Sequence, residues 1–206
     1  MAFEEAELKL MHELSRFGKA AVNTGLVHGS GGNLSARLPG SSSYIITKSA
    51  TWLDELGIDD FVKLDIGANH PLGQSSEWPL HDRSYARHPE INAMFHLHPQ
   101  DAVLLDALGK SIRLFTLDDA LYVNSIGIVD YYPNGSFEMA ADAAEQLAIH
   151  NCLILRNHGS LTVGEDIKMA FRRSQLLEQA AENTFKALLL GDKETEFPKD
   201  VELRHA

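Results

Sequence analysis

The residues of this chain best suited to chemistry are two histidines one residue apart in His96-Leu97-His98, a third histidine in Asn157-His158-Gly159, and a glutamate that follows two serines in Ser75-Ser76-Glu77. On a β-strand, side chains two positions apart leave the same face. His96 and His98 would therefore project their imidazoles together, a few ångströms apart, as metal ligation requires. Alone, such a pair is more often two ordinary histidines at a strand end. His158 shifts that balance, because it follows the apolar run 152–156 and precedes a glycine, the setting of a site at the end of a buried strand. Three neutral imidazoles leave a zinc ion one or two open positions, which suits catalysis better than a closed structural site. Glu77 is the acid/base candidate. At a helix start its carboxylate is favoured by the helix dipole, which by itself is a common structural role. Beside a metal, the same carboxylate would be held ionised at rest and would give up its position to substrate oxygens. Imidazoles plus a carboxylate suit Zn2+, and also Mn2+ or Co2+.

Two further segments have the composition of anion cradles: Gly29-Ser30-Gly31-Gly32-Asn33 and Ser75-Ser76. Glycines let main-chain N–H groups converge, and serine hydroxyls add donors. Thr47-Lys48-Ser49 supplies a third group of donors with one positive charge. A glycine run taken alone is more often a turn.

Helices and strands must position these residues, and the hydrophobic pattern supplies them. A helix is expected over about 4–23, with Leu10, Leu14, Phe17 and Ala21 on its apolar face and Gly25 beyond its end. Strands are expected over 34–38, 44–47 and 61–66, followed by a loop through 69–76. A helix then runs over 77–87 with Ser76 as its N-cap. The stretch 93–98 reads as a strand with Ala93, Phe95 and Leu97 on one face and Met94, His96 and His98 on the other. Helices follow over 101–108, 136–150 and 166–190, with a strand over 152–156, while 112–130 mixes strand and loop and carries no clear period. Short turns between neighbouring strands, with helices interspersed, predict an α/β protein with a mainly antiparallel sheet covered by helices. Cys152 opens an apolar strand and reads as a small core residue. His81 and His88 read as structural or surface histidines, Trp52 and Trp78 as packing residues.

Composition narrows the function. The 206 residues contain no repeat, low-complexity stretch or linker, so a single domain over 1–206 is expected. Eighteen Lys and Arg against 29 Asp and Glu give a formal net charge of -11, which argues against nucleic acid because phosphate backbones need clustered positive charge. A small anionic substrate remains compatible, since a few local N–H donors can hold a phosphate. No apolar run is long enough to span a bilayer. The acidic N-terminus lacks a secretory pattern, and Cys152 is the single cysteine, so a cytoplasmic location is expected.

Taken in order, Gly31-Gly32-Asn33-Leu34-Ser35, Ile46-Thr47-Lys48-Ser49, Ser75-Ser76-Glu77-Trp78, His96-Leu97-His98 and Asn157-His158-Gly159 resemble the class II aldolase/adducin family, nearest its L-fuculose-1-phosphate aldolase-like branch. The resemblance spans residues 5–190. It implies a three-layer α/β/α sandwich and a zinc ion on His96, His98 and His158, with Glu77 as fourth ligand at rest and then as acid/base. It implies a substrate phosphate held by Asn33, Ser49, Ser75 and Ser76, with main-chain help from Ser30 and Gly32. The reaction implied is cleavage of a ketose 1-phosphate to dihydroxyacetone phosphate and an aldehyde through a metal-bound enediolate. Related epimerases, dehydratases, decarboxylases and non-catalytic adducin-like modules share the pattern. A homotetramer with active sites at subunit interfaces is also implied. Three features depart from the branch: Lys48-Ser49-Ala50 stands where it carries Pro-Thr-Gly; its tyrosine proton donor aligns near Thr116, leaving Asp118, Asp119 or Tyr122 for that task; and the C-terminal tail has no tyrosine where the branch uses one.

Overall fold

The computed structural model describes residues 3–68 and 73–198; part of the expected loop, at 69–72, and the tail beyond 198 lie outside the described residues. The chain opens with helix α1, Glu5–Asn23. A capping box starts it, the Glu4 amide donating to Glu7 at 2.9 Å. Its most buried apolar positions are Met11, Leu14 and Ala21, while Leu10 and Phe17 lie beside them, partly buried against the same core. Strands β1 (Asn33–Ala36), β2 (Ser43–Thr47) and β3 (Phe61–Asp65) follow, then α2 (Trp78–Arg87), β4 (Ala93–Leu97) and α3 (Gln100–Ala107). After a π-helical turn at Asp119–Val123 come β5 (Ile126–Val129), α4 (Phe137–Gln146), β6 (Cys152–Leu155), β7 (Gly159–Gly164) and α5 (Ile167–Leu189).

The strands form one seven-stranded sheet in the order β3-β2-β1-β4-β7-β6-β5. It is a mixed sheet, which corrects the expectation of a mainly antiparallel one. Strand β5 runs parallel to β6, whereas the other neighbours pair antiparallel. Parallel neighbours need a crossover, and α4 supplies it between β5 and β6. That β-α-β unit was hidden because β5 lies inside the stretch 112–130, where exposed Ile128 alternates with buried Gly127 and Val129 over only four residues.

Strand β7 was also not foreseen. Its sequence, Gly-Ser-Leu-Thr-Val-Gly, is short and bounded by glycines, yet every residue is buried because it sits between β4 and β6. Helices cover both faces of the sheet. Side chains of α1 and α5 pack on Leu34, Ala36, Ile45, Ala93, Phe95 and Leu97, and α3 joins α5 over Cys152 and Ile154. On the opposite face α2 and α4 pack together over Ile46, Met94, Leu153, Leu161 and Val163. The expected division of β4 into two faces therefore holds, with His96 on the α2 face. Cys152 is a core residue whose thiol is pushed up to about 12 by burial. Trp78 packs edge-on against Phe137, but Trp52 is 53% exposed and is not a core residue.

Candidate metal centre

Register brings the chemistry together. In the β1–β4 pairing Asn33 stands opposite His96, so both side chains leave the same face of the sheet. Leu97 of β4 pairs with Ser160 of β7, which sets His98 beside the hairpin that joins β6 to β7. That hairpin turns through Arg156-Asn157-His158, with Asn157 at φ 55° and the His158 amide donating to the Leu155 carbonyl at 3.0 Å. Asparagine tolerates this left-handed conformation better than most residues. His158 is thus delivered by a tight turn rather than by a strand.

The three imidazoles form one cluster, their potential ligand atoms all within 4.8 Å of one another. Nε2 of His98 lies 3.1 Å from Nε2 of His96. Glu77 closes the group: its Oε2 is 2.7 Å from His96 Nε2, and its Oε1 is 3.4 Å from His158 Nε2. Glu77 occupies the N-cap position of α2, which corrects the assignment of Ser76 to that role. No side chain caps the helix there; Ser75 Oγ instead accepts from the Glu77 amide at 3.3 Å. The carboxylate is left to turn inward, and it is almost wholly buried.

The donor set fits a divalent cation. His96 Nδ1 is 3.0 Å from the Ser160 carbonyl, so this nitrogen carries the hydrogen that donates to it. His96 Nε2 is then the ring nitrogen turned toward Glu77 Oε2 and His98 Nε2, the atom that would bind a cation placed between them. Glu77 Oε1 is buried without a hydrogen-bond partner. Ligand–ligand separations of 2.7, 3.1 and 3.4 Å also bracket the tetrahedral edge of about 3.3 Å expected from bonds of about 2.0 Å. Burial alone would raise the Glu77 carboxyl, but His96, His158 and the Asn33 amide outweigh it and bring it down to about 2. Burial, reinforced by the neighbouring imidazoles, lowers His98 to about 4 and lowers His158 as well. The two imidazoles are accordingly neutral at pH 7 and the carboxylate is ionised, the protonation states of metal ligands.

Glycines make room for this group. A Cβ at Gly32, which has φ 77°, would stand 2.6 Å from the His96 carbonyl. One at Gly159 would meet the Leu97 carbonyl at 2.5 Å and the His98 ring at 2.7 Å. At both positions a side chain would displace the strand that carries a ligand.

The expected phosphate residues separate into two sets. Asn33 is inside the cluster, donating to Glu77 Oε2 at 3.1 Å, and Gly32 abuts it. Ser49 and Ser75 are joined through the main chain: an isolated bridge pairs Lys48 with Gln74, Ser49 donates to Gly73 and Ser75 donates to Thr47. Ser30, Ser49 and Ser76 are exposed. Among the expected aldehyde-side residues, Asp119 is committed to its own turn, accepting from the Phe115 and Thr116 amides. Asp118 is exposed, and Tyr122 lies under the Arg172 guanidinium at 4.5 Å.

Sequence reasoning missed the support behind the ligands. His81 is completely buried and lies against Asn33 and Ser35. Its spacing of four residues from Glu77 was the available signal, since such residues share a helix face. Buried Arg37 gave no signal at all. It donates to the carbonyls of Tyr85, His88 and Ile91, tying the end of α2 to the sheet.

A mixed sheet between two helical layers, carrying three imidazoles and a carboxylate at one end of its central strands, defines a class of α/β protein with a group of side chains that could hold a metal ion. The family described as the Class II Aldolase and Adducin N-terminal domain matches residues 12–185, and the chain belongs to it. An L-fuculose phosphate aldolase from Methanococcus maripaludis is 36% identical over 157 residues, which are 76% of this chain and 85% of that protein. A 3-oxo-tetronate 4-phosphate decarboxylase from Escherichia coli is 29% identical over 198 residues, 93% of this chain and 92% of that one. Among solved structures, L-fuculose-1-phosphate aldolase from Thermus thermophilus superposes with a TM-score of 0.81 at 26% identity, covering 91% of this chain and 99% of that one.

Proposed function

We propose that the chain is a zinc-dependent carbon–carbon lyase that cleaves a ketose 1-phosphate into dihydroxyacetone phosphate and an aldehyde. The observation that carries this reading is the ionised Glu77 carboxylate held against three convergent imidazoles. His96, His98 and His158 would hold the ion, with Glu77 as fourth ligand before substrate enters. When bound, a divalent ion supplies Lewis acidity, stabilising negative charge on substrate oxygens as the carbon–carbon bond breaks. Glu77 Oε2 is the proton-carrying atom in this reading. The hydroxyl that becomes the aldehyde carbonyl loses its proton on cleavage; Glu77, ionised at rest, takes up a proton and delivers it to the carbon left negative, and it removes that proton in the synthetic direction. Its buried pocket keeps water from competing for that carbon.

The donors at Asn33, Ser49, Ser75 and Ser76, with main-chain groups of Ser30 and Gly32, would hold the substrate phosphate. The pairing of 47–49 with 73–75 supports this by putting Ser49 and Ser75 on adjoining segments. Large exposed side chains such as Phe137, Ile149, Leu189 and Leu190 support self-association, here assigned to a homotetramer with interface active sites. No helix among the described residues is long and apolar enough to cross a membrane; a cytoplasmic location is part of the proposal.

A decarboxylase acting on a sugar-acid phosphate is the second reading. The relative named for 3-oxo-tetronate 4-phosphate decarboxylation favours it, because it aligns over 93% of this chain. Both reactions leave negative charge on a carbon next to a carbonyl. The test is a screen of ketose 1-phosphates with the zinc-loaded protein, scored by release of dihydroxyacetone phosphate. Cleavage of one of them is expected. Silence throughout, with carbon dioxide released from a 3-oxo sugar-acid phosphate, would establish the decarboxylase. A zinc content near zero after mild purification would instead point to a binding module.

A further inference from the structure

We propose that His81 is a positioning residue: as the Nε2–H tautomer it fixes the Asn33 amide, so that a one-way chain of hydrogen-bond donors from Tyr85 through Ser35, His81 and Asn33 ends on Glu77. The inference rests on the proposed role of Glu77 for its effect on catalysis, but the donor assignment itself rests on hydrogen-bond geometry and on the burial of a neutral His81. Asn33 Nδ2 donates to Glu77 Oε2 at 3.1 Å, and a carboxylate can only accept. The other end of that amide, Oδ1, must then accept from the group facing it, which is His81 Nε2. A neutral imidazole with its hydrogen on Nε2 has an accepting Nδ1. Ser35 Oγ, 2.7 Å away, is therefore the donor to it. With its hydrogen so used, Ser35 accepts from the Tyr85 hydroxyl at 2.8 Å. Each direction follows from the one before, and none can be reversed without placing two donors or two acceptors face to face.

Burial supplies the constraint. His81 and Ser35 are wholly enclosed, Tyr85 and Asn33 nearly so, so water has no ready access to satisfy a wrongly turned group. Burial keeps the imidazole neutral, lowering it to about 3, and burial likewise raises the Tyr85 hydroxyl, which stays protonated. The frame is rigid: β1 presents Asn33 and Ser35 on one face, and α2 presents His81 and Tyr85 at a spacing of four residues. An amide lies between the imidazole and the carboxylate, so the chain orients and does not conduct protons. Its effect is to hold the Asn33 N–H, and through it one oxygen of Glu77, in place while the carboxylate exchanges between cation and substrate.

The experiment combines two variants with a tautomer measurement on the zinc-loaded protein carrying 15N-histidine. Two-bond 1H–15N correlations should show a protonated Nε2 and a bare Nδ1 for His81; the opposite tautomer overturns the proposal. H81L should lower kcat by about 10- to 100-fold with a smaller rise in KM, because the donor to Asn33 is lost while Ser49, Ser75 and Ser76 still hold the phosphate. H81Q places an amide N–H where Nε2 stood and should recover most of kcat. Unchanged kcat in H81L, or equal loss in H81Q and H81L, would show a space-filling histidine. Should H81L fail to fold, H81Q and the tautomer decide the matter. If wild-type protein cleaves no ketose 1-phosphate, the proposed function fails while the tautomer measurement still stands or falls independently.

Discussion

The two halves of the candidate site are built differently. The cation half comes from strand register: Asn33 opposite His96, Leu97 opposite Ser160, and a hairpin of three residues that supplies His158. His96 and Glu77 are buried there, and His96 is tied to a main-chain carbonyl. The donor half comes from loops. Ser30, Ser49 and Ser76 are exposed, and Ser49 and Ser75 are linked through main-chain bonds around an isolated bridge. Register fixes position to a fraction of an ångström because neighbouring strands bond at every step. A loop fixes only its ends and tolerates change between them. The difference separates two tasks. In the proposed reaction a reacting carboxylate would need close placement, which the rigid half gives, while a substrate's outer groups could be met by adaptable donors.

The largest effect should follow from changing chemistry without changing shape in the rigid half. Glu77→Gln should retain zinc on three imidazoles and lose about 10²- to 10⁴-fold in kcat, measured by dihydroxyacetone phosphate release alongside metal content. Wild-type turnover in this variant would remove the rigid half from the reaction. Next is the packing that holds it. Gly32→Ala sets a Cβ 2.6 Å from the His96 carbonyl at a residue with φ 77°. Overpacking together with left-handed strain should cost about 2–4 kcal/mol, read as a lower thermal midpoint and a reduced zinc content. A variant as stable as the parent would mean that the glycine loop yields as readily as the donor loops. The smallest effect belongs to the other half. Ser75→Ala or Ser49→Ala should each raise KM for a phosphorylated substrate by about 5- to 10-fold, the worth of roughly one ordinary hydrogen bond, with kcat little changed. A fall in kcat as deep as that of Glu77→Gln would erase the distinction between the halves.

Much of the cation half was legible because it obeys short-range rules. Alternation along 93–98 put His96 and His98 on one face, and the observed burial agrees, with Phe95 and Leu97 in the opposite core cluster. Glycine after His158 read as suiting a site at the end of a buried strand, and the structure adds that a Cβ at Gly159 would meet the Leu97 carbonyl and the His98 ring. Strand β5 was not legible, because four residues between a π-helical turn and a crossover helix carry too little period to register. Strand β7 escaped for a related reason: buried on both faces, it has no polar side to alternate. Nor could the sequence show that Glu77 turns inward. Following Ser75-Ser76, it read as the opening residue of a helix capped by Ser76, whereas the chain caps α2 with Glu77 itself and leaves its carboxylate to the imidazoles.

What the sequence determined alone was the supply of ligands and the local elements that hold them, since side-chain type and hydrophobic period act over a few residues. The tertiary structure decided the rest. It placed an unforeseen strand between β4 and β6, set a turn histidine beside two strand histidines, and backed the carboxylate with buried Asn33 and His81. Many of these contacts join residues far apart in the chain, over 44 positions from Asn33 to Glu77 and 64 from His96 to Ser160. No local period encodes such distances; they arise only when the sheet order is fixed and both its faces are closed by helices.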